Sequence, residues 1–411
     1  VALQNDISLA LAAHPIRIEA PIPGKSLVGI EVPNKAAAVV RLGNLLAFED
    51  FAKSGPLAFP LGRDVSGEPI FVNLEKMPHL LVAGSTGSGK SIAIHSLLIS
   101  LLYKNAPASL RLILIDPKRV ELSIYDGVPH LVSPVITDAK KSVGVFRWTI
   151  SEMERRYETL LGAGARDIKS YNRTHEAEPI PYLVLVVDEM ADLMARYGRE
   201  IEGSVVRLAQ MARATGIHLI LSTQRPSVEV VTGLIKANIT SRIALQVASQ
   251  IDSRTILDTA GAEKLLGGGD MLFISSEFSK PKRIQGAYLS EEEMSGVVSF
   301  INEHNEAPVV ETPVIEDPAR GTTPNGDLFN GYENEEEDDD ELYHEALAVV
   351  REAGKASASF LQRRLKVGYA RAARLLDQME ERGVIGPGDG AKPREILIES
   401  RNDNGNGTET A

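Results

Sequence analysis

Gly84, Ser85, Thr86, Gly87, Ser88, Gly89, Lys90 and Ser91 stand in the order G-x-x-x-x-G-K-[ST], the spacing of a loop that cradles phosphate. Glycines let backbone N–H groups turn inward around phosphate oxygens, at the positive end of a following helix. Lys90 adds a point charge for β- and γ-phosphates, and Ser91 a hydroxyl ligand for Mg²⁺. Such a loop needs a strand before it and a helix after it. Leu80-Leu81-Val82-Ala83 supplies the first, and the apolar stretch from Ser91 to Tyr103 the second. The expected ligand is a nucleoside triphosphate with Mg²⁺.

Asp188 and Glu189 end the most apolar run of the chain, Leu183-Val184-Leu185-Val186-Val187. A carboxylate at such a strand tip holds the Mg²⁺ water shell, and a neighbouring one can polarise the attacking water. Asp188 is read as the metal-side residue and Glu189 as the base; the competing reading makes Asp188 a helix N-cap. Gln224, after the strand Leu219-Ile220-Leu221, is placed near the γ-phosphate or that water, against a plain loop role. Charge on a transferred phosphoryl group is often met by an arginine from a neighbouring subunit. Arg213 is the candidate, with Arg207 second; a solvated helix arginine is the alternative for both.

The elements that must position these groups alternate between strands and helices. Leu112–Ile115, Leu183–Val187, Leu219–Leu221 and Ile243–Val247 are continuous apolar runs of strand length, as in a parallel sheet covered on both faces. An α/β domain with a mostly parallel sheet follows. Before it, residues 1–50 read as a small α/β unit. Ile16–Ile18 and Val28–Ile30 form its short strands, and a helical stretch opens at Pro33-Asn34. The motor-sized unit spans 51–305. Residues 306–341, rich in Pro, Thr, Gly, Asn and acid, read as a flexible linker, and 401–411 as a frayed tail. Between them, 342–400 offers three helices and a β-ribbon around Val384-Ile385 and Ile396–Ile398, the pattern of a winged helix.

Bulk composition narrows the classes further. With no cysteine, disulfides, zinc fingers and thiol nucleophiles are excluded. The eight histidines lack metal-ligand spacing. No run approaches the ~18 apolar residues of a membrane span. The chain begins at Val1 without a signal peptide, as expected of a fragment. A net charge of −12 argues superficially against nucleic acid, but much of it sits in the acidic run Glu333–Glu341.

Taken together, the residues become specific. They are the phosphate loop, Asp116-Pro117-Lys118-Arg119 with Glu121-Leu122, Asp188-Glu189, Gly216-Ile217-His218, Thr223-Gln224-Arg225-Pro226-Ser227, Gly233–Ile239, Asp252–Asp258 and Gly261–Gly267. This set resembles the FtsK/SpoIIIE family of bacterial DNA translocases, over about residues 15–305. The resemblance implies an α/β, RecA-like P-loop ATPase core with a small N-terminal α/β domain and a C-terminal winged-helix domain. It also implies a homo-hexameric ring around double-stranded DNA, with ATP and Mg²⁺ between subunits, pumping DNA in chromosome segregation and cell division. Family members are anchored by N-terminal transmembrane helices, so this chain is expected to be cytoplasmic and its full-length protein membrane-bound. DNA-facing positions of the family fall on Arg225, Lys236 and Arg254, with ion pairing or plain solvation as the alternative. Gln250 stands where relatives often carry lysine.

The C-terminal segment carries Arg363, Arg364, Lys366, Arg371 and Arg374 within twelve acid-free residues, opposite an apolar face. Arginine suits guanine N7 and O6 in the major groove. The segment resembles the family's γ domain, which implies reading of short G-rich sequences and contact with a Xer-type recombinase. Ala370 stands where relatives tend to have Asn, which leaves the preferred sequence open. A protein-binding winged helix is the alternative. For the chain as a whole, the rivals are a protein-export or conjugation ATPase and a nucleotide-gated scaffold. DNA-stimulated ATP hydrolysis separates the three.

Overall fold

The structure is a computed structural model. It describes residues 4–305, apart from 13, 14, 21, 23–25, 37 and 277, and part of the stretch 343–397. Arg371, Arg374, the linker 306–341 and the tail 401–411 lie outside the described residues. Two compact units are separated, residues 1–320 and 321–411.

The first unit opens with a short helix, Gln4–Ala10, and an antiparallel ribbon of β1 (Arg17–Glu19) and β2 (Gly29–Glu31). No helix forms directly after Pro33-Asn34. The next helix begins at Leu42, and Leu42 and Leu45 are buried in the main core beside Phe59. The apolar side chains there gain more by joining that core than by closing a small unit of their own.

The remaining strands are β3 (Ala58–Asp64), β4 (Pro69–Asn73), β5 (His79–Ala83), β6 (Leu110–Ile115), β7 (Tyr182–Val187), β8 (Ile217–Thr223), β9 (Ser241–Leu245), β10 (Asp270–Ser275) and β11 (Phe278–Gly286). They make one nine-stranded sheet in the order β4-β3-β11-β10-β9-β5-β8-β7-β6. The run β9-β5-β8-β7-β6 is parallel, as the apolar runs predict. The other four strands are antiparallel and extend one side. β3, β4 and β11 mix apolar residues with Gly, Pro and polar ones, whereas β10 carries the apolar run Met271–Ile274.

Burial explains the parallel strands. Successive residues point to opposite faces, and here both faces are dry. Leu80, Val82, Leu112, Leu114, Val184 and Val186 enter one core. Leu81, Ile113, Ile115, Leu183, Leu185 and Val187 enter the other. Helices Lys90–Lys104 and Glu291–His304 cover the first face through Ile94, Leu98, Leu101, Met294 and Val298. Helices Ala139–Gly162 and Met190–Met211 cover the second through Phe146, Met153, Leu193, Val205 and Leu208. Each fully buried Leu, Ile or Val contributes roughly 1.5–3 kcal/mol, so this two-sided core outweighs any single polar contact in fixing the sheet.

In the second unit, helices Tyr343–Ala353 and Ala358–Leu365 share a core with Ala372, Leu375, Leu376, Met379, Val384 and Ile385. Ala356 bridges Arg394 in antiparallel fashion, and the Leu397 N–H reaches the Val384 carbonyl. Most of the third helix and of the ribbon expected here, including Ile396 and Ile398, lies outside the described residues.

Candidate nucleotide site

Strand register builds the site. Ala83 of β5 lies level with Thr223 of β8, Val187 of β7 with Leu221, and Ile115 of β6 with Val187. The residues just beyond these pairs therefore meet along one edge, at the carboxyl ends of the parallel strands. Phosphate loop, Asp116, Asp188, Glu189 and Gln224 all emerge there, where open α/β sheets bind ligands.

The loop itself depends on glycine at two points. Gly89 has φ +100°, and a Cβ there would fall 2.6 Å from the Gly269 nitrogen. Gly84 has no room either, with Leu245 Cβ 2.8 Å from where its own Cβ would stand. Gly87, at φ +80°, completes the turn into the helix that starts at Lys90.

Lys90 and Asp188 form a buried pair. Lys90 Nζ donates to Asp188 Oδ1 (2.6 Å), to the Asp188 carbonyl (2.8 Å) and to Ser222 Oγ (3.0 Å). Burial pushes the Asp188 carboxyl up, and the Lys90 charge opposes that shift. Asp188 Oδ2 is buried without a hydrogen-bond partner. An unpartnered carboxylate oxygen is a donor that suits a hard cation keeping most of its waters. The N-cap of helix Met190–Met211 is Glu189, so Asp188 does not act as the cap.

Glu189 has no exposed side-chain surface and four groups around it. Thr223 Oγ1 donates to Oε1 at 2.6 Å, Lys118 Nζ to Oε2 at 2.9 Å, and the Gln224 N–H lies 3.2 Å from Oε2. Its own helix adds the Ala191 N–H. Burial alone would push this carboxyl up, but the bonds from Thr223, Lys118 and Gln224 outweigh burial and hold it below the usual range. Gln224 also meets the phosphate loop, with Thr86 Oγ1 donating to its Oε1 at 3.0 Å.

Lys118 and Thr223 stand in the motifs that carry the resemblance, but neither they nor Ser222 had a role assigned from sequence. The accessible signal was Asp116, an acid at the tip of a neighbouring apolar strand. Its carboxylate accepts five backbone N–H groups, from Lys118, Arg119, Val120, Glu121 and Leu122, at 2.9–3.1 Å. That cage holds Arg119 at φ +59° and delivers Lys118 to Glu189.

The cations are placed elsewhere. Arg213 is exposed between helix Met190–Met211 and the start of β8. β8 runs seven residues from that end to Thr223, roughly 20 Å. Arg207 is paired with Glu154. Arg225 is exposed, 3.7 Å from Asp192. Lys236 binds Asp258 Oδ1 at 2.7 Å, and Asp258, at φ +61°, closes the helix bearing the exposed Arg254. Arg363 and Arg364 are exposed on helix Ala358–Leu365.

A glycine loop leading into a helix, with Lys90, Asp188 and Glu189 gathered at the carboxyl edge of a parallel sheet, defines a P-loop ATPase of the RecA-like kind. The FtsK/SpoIIIE family model matches residues 44–228, the FtsK alpha domain 1–34 and the FtsK gamma domain 337–399. The chain belongs to the FtsK/SpoIIIE family. It is 52% identical over 399 residues to a DNA translocase FtsK of Caldanaerobacter subterraneus subsp. tengcongensis, covering 97% of this chain and 55% of that one. A DNA translocase FtsK of Halalkalibacterium halodurans is 51% identical over 413 residues, covering 98% and 51%. The chain thus spans about half the length of these relatives. Among solved structures, the conjugation coupling protein TcpA, in its monomer form with ATPgS, superposes with a TM-score of 0.58 at 25% identity. That match covers 73% of this chain and 85% of the other. No described helix is long and apolar enough to cross a membrane.

Proposed function

We propose that this chain is the motor and DNA-reading part of an ATP-driven translocase of double-stranded DNA. The observation that carries the reading is the single cluster in which Lys90, Asp188, Glu189, Gln224 and Thr86 of the phosphate loop converge. Lys90 and the loop N–H groups take the phosphates, and Ser91 with Asp188 would hold Mg²⁺, which neutralises charge on the triphosphate. Glu189 accepts a proton from the attacking water, and Lys118, Thr223 and Gln224 set where its oxygens point. Arg213 cannot reach its own site across the length of β8, so its role as a phosphate-facing arginine requires a second subunit. That supports a ring, for which six subunits is the family's number.

DNA is favoured over an exported protein by the gamma-domain match and by exposed Arg225, Arg254, Arg363 and Arg364. Phosphate contacts of this kind grip any sequence. Arg371 and Arg374 would add base reading in the C-terminal unit, with a Xer-type recombinase as its further partner. The deciding measurement is ATP hydrolysis against duplex DNA concentration. A steep rise is expected, and one unchanging rate with every polynucleotide would overturn the proposal.

A further inference from the structure

One chain of charges in the first unit takes no part in the chemistry above. The turn Gly267-Gly268-Gly269 has φ of +80°, +56° and +88°, three left-handed residues in a row. It presses on the back of the phosphate loop. The Gly269 N–H donates to the Ser88 carbonyl at 2.9 Å, and Gly89 has no room for a Cβ against it. Asp270 closes the turn from both ends. Its N–H reaches the Gly267 carbonyl, and its Oδ2 accepts the Leu266 N–H at 2.9 Å.

Asp270 is in turn held by Arg283. On the β10–β11 pair, Asp270 faces Gln285 and Leu272 faces Arg283, so Arg283 sits diagonally across from Asp270 on the same face. Its guanidinium makes two bonds to that carboxylate, Nε to Oδ1 at 3.0 Å and NH2 to Oδ2 at 2.7 Å. The third nitrogen leaves the sheet altogether. NH1 donates to Glu31 Oε2 at 2.7 Å, and Glu31 Oε1 accepts from Arg17 at 2.9 Å within the N-terminal ribbon. A planar fork can hold one carboxylate through two parallel bonds and a second through its third nitrogen, a fixed geometry that lysine's single nitrogen does not reproduce.

We propose that Arg283 is a positioning residue that braces the phosphate loop through Asp270 and ties the N-terminal ribbon to that same loop through Glu31. Occupancy of the loop then alters the stability of β1 and β2, and the ribbon's attachment alters the loop. The inference rests on reading the loop as an ATP site.

The test uses the full chain. ATP affinity is measured by equilibrium titration, and amide hydrogen exchange at Arg17–Glu19 and Gly29–Glu31 is followed with and without ATP. ATP slows exchange at those strands in the wild type. Glu31→Gln abolishes that response and, because coupling is reciprocal, weakens ATP binding by up to about threefold, less than loss of Arg283 does. Arg283→Met weakens ATP binding about tenfold, and Arg283→Lys recovers part of it by holding Asp270 alone. ATP that binds the wild type with unchanged exchange in both strands overturns the proposal, and so does wild-type affinity in a folded Arg283→Met. If Arg283→Met does not fold, the comparison of wild type with Glu31→Gln decides. Failure of the wild type to bind ATP overturns the nucleotide reading itself, and this inference with it.

Discussion

Glu189 is held by more donors than a free base would need, and its neighbours make distinct predictions. Glu189→Gln keeps the side chain's size but cannot take a proton, and its amide nitrogen no longer accepts from the donors on that side. It is expected to bind ATP normally and to lower kcat by about 10²–10⁴-fold. Turnover at the wild-type rate would remove Glu189 from the base role. Lys118→Met takes away the cation at 2.9 Å while Thr223 and Gln224 remain. Because Lys118 touches the carboxylate and not the phosphate loop, kcat should change while the KM for ATP stays nearly constant. Steady-state kinetics show which parameter moves, and a change confined to KM would place Lys118 in nucleotide binding instead. Sequence marked Glu189 as a candidate, since an acid at the tip of an apolar strand is visible in one dimension. Lys118 lies 71 positions away, and nothing in the intervening residues announces that the two meet.

Loops and strands bring their own tests. The turn after β6 is organised by one carboxylate, so Asp116→Ala leaves the N–H groups of Lys118, Val120, Glu121 and Leu122 without their acceptor, while Arg119 keeps the residue's backbone carbonyl. Water replaces part of what is lost, and a destabilisation of about 2–4 kcal/mol is expected in urea unfolding. A loss below ~0.5 kcal/mol would mean that the turn holds itself. At the amino ends of β5 and β8, burial pushes His79 down to about 3, helped by the nearby His218, and pushes His218 down to about 4. Both are neutral in the folded chain, whereas an unfolded histidine titrates near 6.5. Between pH 6.5 and 4 the unfolded state therefore binds more protons, and stability falls as the pH falls. Calorimetric Tm should decline across that window, with a shallower slope in His218→Gln. An identical slope in the variant would show that His218 does not contribute.

Across the molecule, the distance between Arg213 and its own nucleotide site matters most. If subunits share sites, mixing Arg213→Ala with Lys90→Ala chains recovers part of the DNA-stimulated ATPase, because some boundaries then join an intact loop to an intact arginine. No recovery at any ratio would count against a role in trans. Each variant alone should be nearly inactive, Lys90→Ala because it loses the phosphate cation and leaves Asp188 buried without its partner.

The phosphate loop, the parallel strands and the acids at their tips were legible in the sequence, because each is a local pattern. A glycine spacing, an apolar run and a carboxylate at its end need no knowledge of distant residues. Of the antiparallel strands, β10 has in Met271–Ile274 a run as continuous as the parallel ones, whereas β3, β4 and β11 break their apolar residues with Gly, Pro and polar ones and were not legible. Nor was register. The parallel strands are apolar on both faces, so polarity does not distinguish one alignment from the next. Only the packed sheet sets Ala83 level with Thr223 and Val187 level with Leu221, and that alignment joins Lys90 to Asp188 and Glu189 to Thr223. The helical stretch expected after Pro33-Asn34 failed for the same reason, since the main core claims Leu42 and Leu45. Sequence thus determined which chemical groups this protein has, and tertiary packing decided which of them meet, because contacts between distant segments are fixed by the whole buried surface and not by any one stretch.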